Sequence, residues 1–162
     1  MTVTNDVRLE QGLRAAMGNL VAGLNVVTTS AGAAPHGTTV SGVMSLSMDP
    51  PMVLVSLGVR SRLLARLELG TRIGVNVLAA DQDQVALRFS GSAADRFADI
   101  PWFEDHGAPR IVDAHAWVAA DVESLVPGGD HVIVLGRVVD AVASPGAPLS
   151  YHQRTFGTHH PF

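Results

Sequence analysis

The chain has 162 residues, a formal net charge of −4, no cysteine, and 47% hydrophobic against 16% charged residues. This length is typical of one domain with a substantial core, and an acidic balance without a basic stripe argues against nucleic-acid binding. The absence of cysteine excludes disulfides, thiolate nucleophiles and cysteine metal sites, and it agrees with a reducing compartment.

We expect a single domain over residues 1–162, with loose tails at 1–6 and 155–162. The N-terminal residues lack the apolar core of a signal peptide, and no apolar run approaches membrane-spanning length. We therefore expect a cytoplasmic protein with no membrane partner. The high apolar share fits a valine- and alanine-rich β core, and it equally fits surface that is buried in an oligomer.

The first predicted element is an amphipathic helix from Val7 to about Ala22, because leucine and methionine recur there at helical spacing. Gly23 is predicted to end it. A β-branched strand, Asn25–Thr29, follows, and residues 31–37 are predicted to form the loop of a hairpin.

A hydroxyl-rich strand is predicted from Gly37 to Ser47, where serine and threonine are interleaved with apolar side chains. The sequence Asp49-Pro50-Pro51 ends it, because proline fixes φ and cannot donate to a strand ladder. The apolar run Met52–Leu57 has the length of a strand and is predicted to be buried on both faces.

A short helix is predicted at 61–69, with Ser61 as its N-cap and Gly70 just after its C-terminal end. Its first turn would expose backbone N–H groups beside Arg60 and Arg62, a combination that favours anion binding. A helix cap beside solvated charges is the plainer interpretation of the same residues.

The middle of the chain continues with a predicted strand, Arg72–Leu78. Asp81 is predicted to start a helix, with Gln84 as its capping-box partner. Residues 90–113 show little periodicity and are predicted to form a long loop, which in ordered proteins is often functional.

The last third is predicted to be a hairpin. Residues 116–125 alternate between apolar and polar, residues 127–130 turn, and residues 131–142 return. Strands outnumber helices without a sustained β–α alternation, which favours a mainly β fold, an antiparallel barrel with peripheral α-helices, over a doubly wound sheet.

Several motifs follow one another along the chain, in this order: GTTVSGVMSLSMDPPMVLVSL (37–57), RSR (60–62), GVNVL (74–78), LRFSG (87–91), DRF (95–97), GGDH (128–131) and Tyr151. With this ordered set the chain resembles the flavin reductase family, the reductase partners of two-component flavin-dependent monooxygenases, over most of its length. The resemblance implies an FMN-binding split barrel, Greek-key-like and antiparallel. It also implies a homodimer with flavin near the subunit interface.

The resemblance further implies a set of flavin-binding residues. They are Thr39, Val40, Ser41, Ser45, Ser56, Ser61, Arg62, Asn76, Val77, Leu78, Phe89 and Tyr151. Residues 39–41 would contact the isoalloxazine ring, whereas Ser61 and Arg62 would hold the flavin phosphate. A half-exposed strand for the hydroxyl groups and core packing for the apolar members are the plainer interpretations.

His131, directly after Gly128-Gly129-Asp130, is the predicted catalytic residue. The resemblance places this imidazole beside the flavin, where it would take part in nicotinamide binding and hydride transfer. A histidine that flanks a turn without any role is the alternative. No metal-ligand spacing such as H-E-x-x-H appears, and the pair His159-His160 is predicted to be exposed, so we predict no metal site.

Two positions depart from the family pattern. Gly42 replaces a second serine, and Leu63 replaces a threonine whose hydroxyl would contact phosphate. The loss of that contact implies a changed flavin affinity or a changed preference between FMN and FAD, and it fits the low affinity that release of reduced flavin requires.

Three functions follow from the resemblance. The first is an NAD(P)H:flavin oxidoreductase that uses NADH or NADPH to reduce FMN or FAD and supplies the reduced flavin to a partner monooxygenase. The second is a split-barrel flavoprotein that retains its flavin and acts directly on a small organic substrate. The third is a non-catalytic flavin-binding or partner-binding dimer.

Overall fold

The computed structural model describes residues 2–32 and 34–162, with side chains of the first helix described from Asp6 onward. Residue 1 of the predicted N-terminal tail and residue 33 of the predicted hairpin loop lie outside that description. The helices are α1 (Thr2–Gly18) and α2 (Asp83–Ser90). The strands are β1 (Ala22–Gly23), β2 (Asn25–Thr29), β3 (His36–Val40), β4 (Val43–Met48), β5 (Pro51–Gly58), β6 (Arg72–Val77), β7 (Trp102–Asp105), β8 (Ala108–Ile111), β9 (Ala116–Gly128), β10 (His131–Ala143), β11 (Leu149–His152) and β12 (Thr155–Thr158).

A seven-stranded antiparallel sheet with the order β3-β2-β6-β9-β10-β5-β4 forms the body of the molecule. Its two edge strands, β3 and β4, are consecutive in the chain and are joined only by Ser41 and Gly42. The N–H of Ser56 on β5 donates to the carbonyl oxygen of Gly42 at 2.7 Å, so this short link lies against β5 and brings the end of β3 beside the start of β4. The sheet therefore curls into a barrel, which confirms the predicted fold class.

Two apolar clusters stabilise this arrangement. The barrel interior is filled mainly by branched side chains of the central strands, among them Val27, Val55, Ile73, Val75 and Val134. The second cluster packs beneath α2 and includes Leu24, Leu78, Phe89, Phe97 and Leu149. Burial of branched side chains on one face of twisted strands is what the predicted strand pattern requires.

The long hairpin of β9 and β10 also confirms a prediction. Its turn consists of Gly129 and Asp130, with Gly128 paired to His131. Gly129 has a φ of +66°, a conformation that glycine adopts without the steric cost met by other residues.

The predicted strand from Gly37 to Ser47 is wrong as a single element, because the chain crosses there from one sheet edge to the other. Val40 still pairs with β2, whereas Val43 already pairs with β5. The prediction that Met52–Leu57 is buried on both faces is also wrong. Only alternate residues, Val53, Val55 and Leu57, are buried, since the barrel interior covers one face of β5.

The helix predicted at 61–69 is a single 3₁₀ turn, Leu64–Arg66. The N-cap of this turn is Leu63 rather than the predicted Ser61, although the Oγ of Ser61 accepts hydrogen bonds from the N–H groups of Leu63 and Leu64 at 3.2 and 3.4 Å. Leu63 and Leu67 are both buried in the barrel core, and Leu67 has an extended backbone. Burial of these leucines thus overrides the local helical spacing.

Both predicted α-helices have different bounds. α1 begins at Thr2 within the predicted loose tail and ends at Gly18, where the side-chain amide of Asn19 donates to the carbonyl oxygen of Ala15 at 2.8 Å. α2 begins at Asp83 rather than Asp81, and the predicted capping box does not form. Instead the Oε1 of Gln82 accepts a hydrogen bond from the N–H of Ala79 at 3.0 Å.

Two segments predicted to lack regular structure contain strands. The predicted loop at 90–113 includes the hairpin of β7 and β8, and the predicted C-terminal tail includes β12, which pairs with β11. Short strands that are stabilised by packing on the rest of the fold leave little periodicity in the sequence. Over the described ranges, no helix has the length and apolar character needed to cross a membrane.

Candidate functional site

A cleft of about 310 Å³ lies where the two sheet edges meet. Its walls are the end of β3, the Ser41–Gly42 link and the end of β5, with Ser61 and His131 at the rim. The lining residues are Thr38, Thr39, Val40, Ser41, Gly42, Ser56, Leu57, Gly58, Ser61 and His131. Six residues proposed from the sequence, Thr39, Val40, Ser41, Ser56, Ser61 and His131, are thereby brought together.

The hydroxyl groups of this cleft divide into two kinds. Thr39 Oγ1 donates to the carbonyl oxygen of Ala86 at 2.6 Å, so its proton is already used. The hydroxyls of Thr38, Ser41 and Ser56 have no side-chain hydrogen bond to any residue of the described ranges and line the open space. These three groups are available to donate to, or accept from, a bound molecule.

Ser61 lies at the rim, and Arg62 follows it in the chain. The Oγ of Ser61 accepts two backbone N–H bonds, which leaves its own proton free to donate. Arg62 is exposed, and one of its N–H groups donates to the carbonyl oxygen of Ala93 at 3.4 Å. Since a guanidinium has five N–H donors, others remain for an anion.

His131 lines the same cleft, at its rim. It pairs with Gly58 in the β10–β5 register, and a side chain at Gly58 would place its Cβ 3.9 Å from the Nε2 of His131. The other ring nitrogen, Nδ1, lies 2.8 Å from Oδ1 of Asp130. This hydrogen bond lowers the pKa of Asp130, so the carboxylate stays ionised and orients the ring with Nε2 toward the cleft.

Tyr151 reaches the same region from the other side of Ser41. Ser41 and Tyr151 together line two adjoining clefts of about 230 and 790 Å³, the smaller of which also contacts Thr39. The Tyr151 ring packs against Phe156 with centroids 5.6 Å apart. Ser41 therefore stands at the junction of three open spaces.

The remaining proposed residues do not line the cleft. Ser45 is on the exposed edge strand β4. Leu78 and Phe89 are fully buried in the cluster beneath α2, and Val77 is half-buried at the end of β6. Asn76 is fully buried and uses its amide to join neighbouring strands.

The sequence did not identify Leu57, Thr38, Asp130 or Gly58 as lining or supporting residues. Thr38 belongs to the hydroxyl-rich strand and could have been found from its composition. Asp130 is next to His131 in the GGDH motif, which suggested only the histidine. Gly58 faces His131 through the register of β5 and β10, and nothing in the local sequence indicates that register.

Metal binding has no geometric support within residues 2–32 and 34–162, where no group of three histidine, aspartate or glutamate side chains is close enough to hold an ion.

Comparison with known proteins gives consistent results. Residues 17–160 match the family described as flavin reductase like domain. The chain is 35% identical over 149 residues to the reductase component of 4-nitrophenol 4-monooxygenase/4-nitrocatechol 2-monooxygenase of Rhodococcus opacus, covering 92% of this chain and 80% of that protein. It is 34% identical over 147 residues to an NADH:FMN oxidoreductase of Rhodococcus qingshengii, covering 86% of this chain and 77% of the other.

A solved structure is similar over nearly the whole fold. Nitrilotriacetate monooxygenase component B from Mycobacterium thermoresistibile superposes with a TM-score of 0.91 at 29% identity, covering 96% of this chain and 89% of that one.

Proposed function

This chain belongs to the flavin reductase family, and we propose that it is an NAD(P)H:flavin oxidoreductase that supplies reduced FMN or FAD to a partner monooxygenase. The relatives support both halves of this proposal, since one is named as a monooxygenase reductase component and another as an NADH:FMN oxidoreductase. The observation that carries it is the cleft, which is lined by free hydroxyls and by the imidazole of His131.

The cleft residues fit a flavin. Thr38, Ser41 and Ser56 offer uncommitted hydroxyls to the polar edge of a planar ring, and Gly58 leaves room between that ring and His131. Ser61 at the rim and Arg62, which follows it, are suited to the flavin phosphate, because a hydroxyl and a guanidinium both donate to its oxygens. The bound flavin supplies the redox chemistry, as it accepts a hydride from the reduced nicotinamide.

His131 is proposed to orient the nicotinamide and to hold a proton at Nε2. The Asp130 carboxylate fixes Nδ1 in its protonated form, so Nε2 is the nitrogen presented to the cleft. Hydride transfer to a flavin is accompanied by uptake of a proton, which the imidazolium form of the ring, protonated at both nitrogens, can deliver from Nε2. Asp130 acts through His131 and is therefore a positioning residue.

The departure at Leu63 fits a flavin that is released. Leu63 is fully buried in the barrel core, so this position offers no hydroxyl to phosphate. At Gly42, an added Cβ would lie 3.0 Å from the Cβ of Ser56, so a serine here would crowd the cleft wall. Fewer phosphate contacts lower affinity, and a diffusing product requires modest affinity.

We also propose that the protein is a homodimer. Met44 and Met48 on edge strand β4 are 56% and 79% exposed, and Leu9 and Leu13 of α1 are 73% and 60% exposed. Apolar side chains on an uncovered edge strand and an uncovered helix favour burial against a second copy. Light scattering of the purified protein tests the proposal, and a monomer at micromolar concentration would contradict it.

The decisive experiment measures oxidation of NADH and NADPH, by loss of the reduced-nicotinamide absorbance, with no flavin, with FMN and with FAD. Rapid oxidation that depends on added flavin is the expected result. Tightly copurified flavin with slow nicotinamide turnover would indicate a flavoprotein that retains its flavin and acts on an organic substrate. Flavin binding without any oxidation would indicate a non-catalytic dimer.

A further inference from the structure

A buried asparagine, Asn25, begins strand β2. All five residues of this strand are buried, and asparagine is among the residue types that strands disfavour. Asn25 is only 5% exposed, so its amide must find hydrogen-bond partners within the protein. A residue that departs from local strand preference at a buried position is expected to have a role beyond packing.

The amide of Asn25 donates to two backbone carbonyl oxygens outside its own strand. Its Nδ2 lies 3.2 Å from the carbonyl oxygen of Val40 and 3.2 Å from that of Gly23. Val40 is the last residue of β3, and Gly23 is the last residue of β1. The two N–H groups of one side chain therefore hold the ends of two other strands.

The first of these bonds fixes the start of the Ser41–Gly42 link. The Val40 carbonyl belongs to the peptide unit that leads into the link, and Asn25 donates to its oxygen. At the end of the link, the carbonyl oxygen of Gly42 accepts from the N–H of Ser56 at 2.7 Å. Of these two donors only the amide of Asn25 is a side chain, so the choice of residue 25 decides whether the first bond exists.

The link carries one of the free hydroxyls of the site. Ser41 lines the hydroxyl-lined cleft, which is the cleft that contains His131. The Ser41 hydroxyl has no side-chain hydrogen bond to another described residue, so its direction follows from the backbone of the link. That backbone begins at the Val40–Ser41 peptide, which Asn25 holds.

The second bond of the amide extends to the strand pair that carries Tyr151. Gly23 follows Ala22, which pairs with Tyr151 in the β1–β11 register. Tyr151 and Ser41 together line the adjoining clefts of about 230 and 790 Å³. Asn25 therefore connects the two strand ends from which Ser41 and Tyr151 reach the same open spaces.

We propose that Asn25 is a positioning residue for flavin binding. Its amide fixes the Val40–Ser41 peptide and thereby directs the Ser41 hydroxyl into the cleft. Asn25 is buried and does not line the cleft, so it acts through Ser41. The proposal rests on the reductase function proposed above, because that function requires flavin in this cleft.

The first test measures the dissociation constants of FMN and FAD from the quenching of flavin fluorescence, without turnover. Asn25→Leu keeps the branched shape of the side chain and removes both donors. It should raise both dissociation constants by about two- to tenfold, the range that corresponds to one hydrogen bond. An unchanged flavin affinity in this variant would overturn the proposal.

Thr28→Val is the matched control on the same strand. It removes the buried hydrogen bond from Thr28 Oγ1 to the carbonyl oxygen of Pro109 at 2.6 Å, which lies away from the link. This variant should have a lower melting temperature and an unchanged flavin affinity. Equal losses of flavin affinity in Thr28→Val and Asn25→Leu would mean that Asn25 has only a structural role.

A double-mutant cycle with Ser41→Ala tests the route of the effect. Because Asn25 acts through the Ser41 hydroxyl, Asn25→Leu should change flavin affinity by less than about 1.5-fold once residue 41 is alanine. Equal effects in the two backgrounds would refute the proposal. If Asn25→Leu does not fold, Asn25→Val replaces it in the same cycle, because valine also lacks donors, has fewer side-chain atoms than asparagine and suits a strand.

Steady-state kinetics give a second readout that a structural role would not produce. In Asn25→Leu the KM for flavin should rise and kcat should stay unchanged, because His131 and Asp130 belong to a different hairpin. A lower kcat with an unchanged KM would contradict the proposal. If the wild-type protein binds flavin but oxidises no NADH or NADPH, the reductase proposal fails, while the binding cycle still decides the role of Asn25.

Discussion

Two regions of the molecule use the same kinds of polar side chain in opposite ways. One is the hydroxyl-lined cleft, which contains Ser41 and Ser56. The other is the junction, the buried hydrogen-bond network of Asn76 and Thr28. At the junction, the Asn76 amide donates to Val26 and accepts from Ile111, and Thr28 donates to Pro109, at distances of 3.0, 2.7 and 2.6 Å. In the cleft, the hydroxyls of Ser41 and Ser56 are bonded to no other described side chain.

This difference distinguishes residues that hold the fold from residues that can bind a ligand. A buried polar group is stable only when its hydrogen bonds are satisfied within the protein. A polar group that faces an open cleft is satisfied by water until a ligand replaces it. We therefore expect changes at the junction to lower stability, and changes in the cleft to lower activity or affinity.

The largest effect is expected for Asn76→Leu. Replacement of the amide leaves the N–H of Ile111 and the carbonyl oxygen of Val26 without their partner, so the free energy of unfolding should fall by about 2–4 kcal/mol. Urea denaturation measures this. The flavin KM of the folded fraction should not change, and a raised KM with unaltered stability would instead make Asn76 a flavin contact, as the family resemblance implied.

His131→Gln should reduce turnover by roughly tenfold to a hundredfold, because glutamine cannot transfer the proton that the imidazole holds. Its melting temperature should match the wild type, since His131 is exposed on the cleft rim. Steady-state kinetics over a range of pH check this. Asp130→Asn should cause a smaller loss because it only weakens the orientation of the ring, and unchanged turnover in both variants would remove His131 from the mechanism.

Ser56→Ala should raise the flavin KM by about two- to tenfold, because this factor corresponds to the binding free energy that one hydrogen bond contributes. Stability should stay within about 0.5 kcal/mol, because the hydroxyl has no protein partner to lose. Ser45→Ala, on the exposed edge strand outside the cleft, is the matched control. A similar rise in both variants would mean that the cleft wall does not bind flavin through Ser56.

The smallest effect concerns His36, whose Nε2 is both buried and unpaired and so belongs to neither region. Its pKa is about 4 in the folded protein against 6.5 when unfolded, so between these values the unfolded chain binds more protons. The stabilising contribution of the neutral ring is therefore complete above pH 6.5 and is lost as the pH falls toward 4. In denaturation from pH 7 to 4.5, His36→Gln should lose stability less steeply than the wild type, and identical slopes would refute this.

The local sequence was sufficient for most of the strands and for the identity of the fold. Residues 25–29, the β9–β10 hairpin and its glycine turn follow from alternation, β-branching and turn chemistry, which depend only on near neighbours. The resemblance carried by the hydroxyl-rich stretch before Asp49 and by the GGDH motif predicted Ser41 and His131 as site residues, and both line the same cleft.

Tertiary structure decided which of the polar and apolar residues face the cleft. Asn76 and Ser56 both lie on interior strands of the sheet, but strand pairing buries Asn76 beneath the β7–β8 hairpin and leaves Ser56 half-buried in the wall of the cleft. Tertiary contacts also decided three other features. They divide residues 37–47 into two strands, replace the predicted helix by the turn at Leu64–Arg66, and pair His131 with Gly58. Each depends on contacts between residues distant in the chain, which local periodicity does not encode.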